Sequence, residues 1–206
     1  MTITSVFNSF FVDFMSLKSK SALLWIAIIV AASVMNMKSI AFLFLIRVVS
    51  FLFTNDEKGV FATNFAPVNR KSMVYGRHMC ALLSFTLCLA INLLADLVVP
   101  LFYSEYVQVS SPVFYVLMFA VFSLLVAIEF PLLYWVGYAK IKVFEYIIFV
   151  GGVLLIVKVV GEEKIYNLVM SMNIGVQFAL PLIAFAIVLL CCSALISEKI
   201  YSRKDT

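Results

Sequence analysis

Charge is scarce in this chain. Only 13% of its 206 residues are charged and its mean hydropathy is +1.12, whereas soluble domains carry charge at roughly a quarter of positions, so the solvent of the fold must be largely lipid. Histidine is scarcer still, with His78 alone. The four cysteines, Cys80, Cys88, Cys191 and Cys192, all lie in apolar runs without C-x-x-C spacing, which argues against a zinc site or a disulfide framework. Also missing is any GxxxxGK[ST] phosphate loop or glycine-rich cradle. The chain is therefore not expected to hydrolyse ATP or to carry a cofactor of its own. No cleavable signal is expected either, because the first apolar run contains Asp13 and no A-x-A-like site follows it. An intramembrane enzyme finds little support: there is no metal-ligand set, no proton-relay pair and no nucleophilic serine beside a buried base.

Long apolar runs fill the space that charge leaves. A helix needs about 20 apolar residues to cross the hydrocarbon core, and six segments compete for that role: about Ser21–Val34, Ile40–Phe53, Met79–Tyr103, Val113–Tyr138, Val143–Val160 and Ile174–Ile196. The expected fold is all-α, one membrane domain over residues 1–206 with six transmembrane helices. The first two segments are short, each covering about 21 Å of a core of roughly 30 Å. They read as a hairpin turning at "NMKS". Ahead of them, Ile3, Val6, Phe7, Phe10, Phe11 and Phe14 recur at spacings of three and four, with Thr4, Ser5, Asn8, Ser9 and Asp13 opposite. This pattern predicts an amphipathic helix over residues 1–20, lying in the membrane interface or forming a polar-faced start to the first span. After Gly161, Ile165, Leu168, Val169 and Met172 fall at helical spacing, which places a second amphipathic segment over 161–173 at the outer surface.

The basic residues set the orientation. With a cytoplasmic N-terminus, the inside sections hold Lys18, Lys20, Lys58, Arg70, Lys71, Arg77, Lys140, Lys142, Lys199, Arg203 and Lys204, and the outside ones only Lys38, Lys158 and Lys164. By the positive-inside rule both termini face the cytoplasm. The formal net charge of +4 is then a topology signal, and no nucleic-acid partner is implied.

One hydrophilic passage interrupts the oil, "TNDEKGVFATNFAPVNRKSMVYGRH" from Thr54 to His78, on the cytoplasmic side of this topology. Pro67 is suited to open a helical turn, and Val68 to Arg77 can continue it. Arg47, Glu129 and Asp96 fall within spans, where a charge is costly unless paired or facing water. Arg47 lies about 9 Å and Glu129 about 13 Å from the cytoplasmic end of their spans, so a contact between them is predicted, either as a hinge or gate element or as a static pair that fixes packing. Pro131, two residues beyond Glu129, predicts a bend beside that pair. Asp96 lies nearer the outside, facing a polar cavity or reaching outer water.

Two stretches carry a family resemblance. "DEK" directly after the second span, an aromatic, a proline before a basic pair in "APVNRK", and later "FPLLYWVGYAKIK" with Pro131, Tyr134, Gly137, Tyr138 and Lys140 resemble the short type-2 ABC exporter permeases. Ala66 stands where that family has leucine, and Phe61 takes the place of its tryptophan. The resemblance implies a dimer with a second permease copy or a paralogue in a bacterial plasma membrane. It also implies a separate cytoplasmic ABC ATPase, carrying ATP and magnesium, docked through a coupling helix between spans two and three. Carried onto this sequence, the coupling residues are Asp56, Glu57, Lys58, Pro67, Asn69, Arg70, Lys71 and Arg77, and the passage 54–78 is the coupling loop. The family's exporters of amphipathic peptides, including lantibiotics and phenol-soluble modulins, make a hydrophobic or amphipathic cargo the expectation. A self-contained secondary carrier or channel is the alternative, although the chain shows no convincing internal repeat and no file of ionisable residues through the core.

Overall fold

The computed structural model describes residues 5–6, 8–10, 20–35, 37–53, 70–102, 111–138, 140–141 and 176–203. Within them every regular element is helical. In chain order these are α1 (Lys20–Val34), α2 (Lys38–Ser50) continued by a 3-10 turn (Phe51–Phe53), α3 (Arg70–Phe102), α4 (Pro112–Val136) and α5 (Val176–Ser202). They match the first, second, third, fourth and sixth apolar segments. The fifth, and the segment 161–173, lie outside the described residues. Three stretches, Lys71–Phe102, Pro112–Val136 and Phe178–Ser202, are long and apolar enough to cross a membrane.

Local chemistry explains the ends. At the α1–α2 hairpin the amides of Met35 and Met37 bond back to the carbonyls of Ala31 and Ala32 at 2.9 and 2.8 Å, which satisfies carbonyls that a helix end leaves open. Ser111 caps α4, its hydroxyl accepting from the Phe114 amide at 3.3 Å with Pro112 directly after it; proline loses nothing there, because a first-turn amide has no partner anyway. At the other end of α4, Gly137 has φ +92 and its amide bonds the Leu133 carbonyl. Glycine alone enters that region without a Cβ penalty. Inside α4, Pro131 removes the amide that would bond the carbonyl of Ala127, yet the helix runs on through it.

α3 begins nine residues before the expected third span, so Arg70 to His78 form its first turns rather than a separate coupling helix. Its 33 residues extend about 50 Å at 1.5 Å per residue, well beyond a hydrocarbon core of roughly 30 Å. Its inward stripe reads Val74, Ala81, Phe85, Cys88, Asn92 and Ala95, all buried, while Leu87, Leu94, Leu97 and Leu101 on the other side are exposed. In lipid such leucines cost nothing, and packing rather than water expulsion holds helices together. Aromatic rings supply that packing. Phe42 of α2 meets Phe85, Phe114 and Tyr115, and Phe53 meets Phe130 and Tyr134, with centroids 4.9–6.5 Å apart.

The bundle has two ends. The basal end gathers Phe53, the start of α3, the end of α4 and the end of α5; the apical end gathers the α1–α2 hairpin, the second half of α3 and the start of α4. Against the basal part of α3 lies the N-terminal helical segment, with Ser5 Oγ 2.7 Å from Ser72 Oγ. Ser5 and Ser9 were expected on its polar, water-facing side; instead Ser9 is fully buried. The reason is size. A Cβ at Gly76 would lie 2.9 Å from Ser9 Oγ and 3.1 Å from the Phe10 amide nitrogen, so small residues on both helices permit an approach that larger ones would block. Gly76→Ala should push this segment away at a cost of about 1–3 kcal/mol, as overpacking does. Hydrogen exchange at residues 5–10 should rise, and unchanged protection would show that the approach is not tight.

Candidate functional site

The polar passage is flanked by a small rigid assembly at the basal end. The 3-10 turn delivers Phe53 immediately before it, and its last nine residues, Arg70 to His78, form the start of α3. Two turns into α3, Arg77 is fully buried, with its guanidinium carbon 4.4 Å from the centre of the Phe53 ring and 5.5 Å from that of Tyr134. Its Nη1 also donates to Tyr134 Oη at 3.4 Å. A planar, weakly hydrated guanidinium suits such stacking, and a desolvated cation over a ring gains about 2 kcal/mol or more. Arg77 thus departs from the expected partner-facing cation, because the rings enclose it. It pins the two ends of the passage together.

His78 follows on the same turn. Its Nδ1 lies 2.9 Å from the Val74 carbonyl and its Nε2 lies 3.2 Å from Ser193 Oγ on α5. A carbonyl can only accept, so Nδ1 carries a proton, and in the neutral ring Nε2 accepts from the serine hydroxyl. The ring also stands edge-on to Phe130 at 4.7 Å. Lys71 Nζ pairs with Glu198 Oε1 of α5 at 2.7 Å, and Tyr75 Oη donates to Glu198 Oε2 at 2.9 Å. Lys71 remains 55% exposed in its side chain. Glu198 was missed from the sequence, since an acid four residues before the end of a helix gives no local sign of its partner 127 residues earlier. Of the remaining coupling candidates, Arg70 opens α3, while Asp56, Glu57, Lys58, Pro67 and Asn69 lie outside the described residues.

The spans hold the other charges. Arg47 is buried in the last turn of α2, whose carbonyl accepts from Ser50 Oγ at 3.0 Å. Glu129 is half-buried on α4, against which α2 packs, two residues before Pro131. At the apical end Asp96 is tied to two neighbouring helices. It pairs with Lys38 and accepts from Tyr115 Oη at 2.7 Å, with side chains 8% and 4% exposed for the acid and the lysine. Lys38 was expected in an outer turn; it opens α2 instead, and its buried ammonium joins three helices through one carboxylate.

Nothing in this arrangement positions a nucleophile against a reacting atom. The basal assembly ties α3 to Phe53, α4 and α5, and the apical triad ties α2, α3 and α4 together. Residues 10–202 match the family described as ABC-2 family transporter protein. No curated protein and no solved structure matches the chain significantly. Family members are the membrane components of ATP-driven transporters, associating in general with an ATP-binding subunit. With a match over nearly its whole length and helices long and apolar enough to span a bilayer, the chain belongs to the ABC-2 transporter family, as a multi-pass membrane permease of an ABC exporter.

Proposed function

We propose that this chain is the permease half of an exporter that moves a hydrophobic or amphipathic cargo, an amphipathic peptide being the best fit, outward across a bacterial plasma membrane. A separate ATPase chain binds ATP and magnesium and docks on the passage after Phe53. The basal end is cytoplasmic, as the positive-inside bias requires, both termini lie there, and six spans with an interfacial N-terminal helix complete the fold. A second copy or a paralogue completes the pathway. The observation that carries this reading is the anchoring of the polar passage: Arg77 bridges to Phe53 across it. A loop held at both ends on a stiff base can turn a partner's movement into helix movement, whereas a slack loop would absorb it.

The test is recovery of the native complex in mild detergent, with ATPase stimulation by the permease as readout. Substituting Pro67, Arg70 and Lys71 together should weaken ATPase binding and abolish stimulation. If the wild-type chain recovers no ATPase, a self-contained carrier becomes the better reading. The Arg47 and Glu129 pairing belongs to the same proposal, as a contact that holds α2 on α4 beside Pro131. A double-mutant cycle with Arg47→Met and Glu129→Gln should give a coupling of about 1–3 kcal/mol. Additive effects would separate the two residues.

A further inference from the structure

Both carboxylate oxygens of Glu198 are in use, one by Lys71 and the other by Tyr75. Those two residues stand one turn apart on α3 and so share a face. Two further contacts continue the same seam between α3 and α5: Tyr201 Oη reaches Met73 Sδ at 3.5 Å, and His78 meets Ser193. The seam begins at the first turn of α3, where the polar passage enters that helix. An exposed lysine–carboxylate pair contributes little to stability, and a lysine on its own is a flexible point charge. Here the phenol fixes the carboxylate, and the carboxylate fixes the ammonium.

We propose that Glu198 is a positioning residue for coupling: through Lys71 and Tyr75 it ties the exit of the docking passage to the last helix, so that displacement of the passage is delivered to α5. This rests on the reading of that passage as the ATPase-docking element. Glu198 itself touches neither nucleotide nor cargo. Its contribution is to keep α3 from turning or sliding independently of α5 when the partner moves. Loss of the tie should leave docking intact and disconnect it from the pathway.

The experiment uses the full chain with its ATPase in lipid vesicles, comparing ATPase affinity, permease-stimulated ATP turnover and thermal unfolding. Glu198→Gln keeps an oxygen for Tyr75 but loses the charge that holds Lys71. It should bind the ATPase within about twofold of wild type while stimulated turnover falls about fivefold or more, with unfolding temperature nearly unchanged. Tyr75→Phe should lower turnover in the same direction, and the double variant should be no worse than Glu198→Gln, since both act through one carboxylate. Wild-type turnover in Glu198→Gln would overturn the proposal, as would an unfolding temperature that falls in step with turnover. Docking-passage variants that keep full ATPase affinity would overturn the underlying reading instead.

Discussion

Asp96→Ala is expected to destabilise the protein by about 3–5 kcal/mol, the loss that follows when one partner of a buried ion pair is removed and the other is left charged in a dry site. The group that loses its carboxylate is Lys38, whose side chain is only 4% exposed. Tyr115 would lose its acceptor as well. Because the three residues sit on α3, α2 and α4, the damage should appear as loosening of the whole apical end rather than of one helix. Lys38→Met should be costly for the converse reason, leaving a buried carboxylate with only the phenol. The double variant Lys38→Met with Asp96→Leu should recover most of the loss, since apolar replacement of a buried pair is often close to neutral. Unfolding of the purified protein in detergent decides the matter. A loss in the double variant equal to the sum of the two single losses would mean that the pair is not coupled.

Arg77 carries the second large effect. Arg77→Ala removes a fully buried side chain, opens a cavity and forfeits stacking on two rings, together about 2–4 kcal/mol. Arg77→Lys keeps the charge but not the flat guanidinium, so it should fall between alanine and wild type. Arg77→Met, apolar and of similar length, should restore much of the stability without the hydrogen bond to Tyr134. This ordering separates two roles for the residue. A docking cation would lose ATPase affinity with stability preserved, whereas a buried wedge loses stability first and transport with it. Measuring both on the same variants decides between them.

Much of this molecule was legible in the chain. Scarce charge and long apolar runs fix an all-helical membrane fold, because backbone amides in lipid must be satisfied within each segment. Helix positions followed for five segments. The ends were less legible: α3 starts early because nothing in "RKSMVYGRH" stops a helix that is packed on neighbours, and sequence hydropathy marks only where oil begins. The resemblance in "DEK" and "FPLLYWVGYAKIK" pointed to the family that the match over 10–202 assigns.

The long-range polar pairs were not legible, and for one reason. Whether a charge is exposed depends on residues distant in the chain: Lys38 finds Asp96 58 residues on, and Lys71 finds Glu198 on the last helix. Sequence alone sets the passage apart, since a hydrophilic run in an oily chain must leave the bilayer, yet its last nine residues belong to α3. What only the tertiary structure decided is how its flanks are held. Arg77 was expected as one more basic residue facing a partner, and it became the buried pin between Phe53 and Tyr134 because three helix ends converge there and supply the aromatic faces that a guanidinium can exchange for solvent.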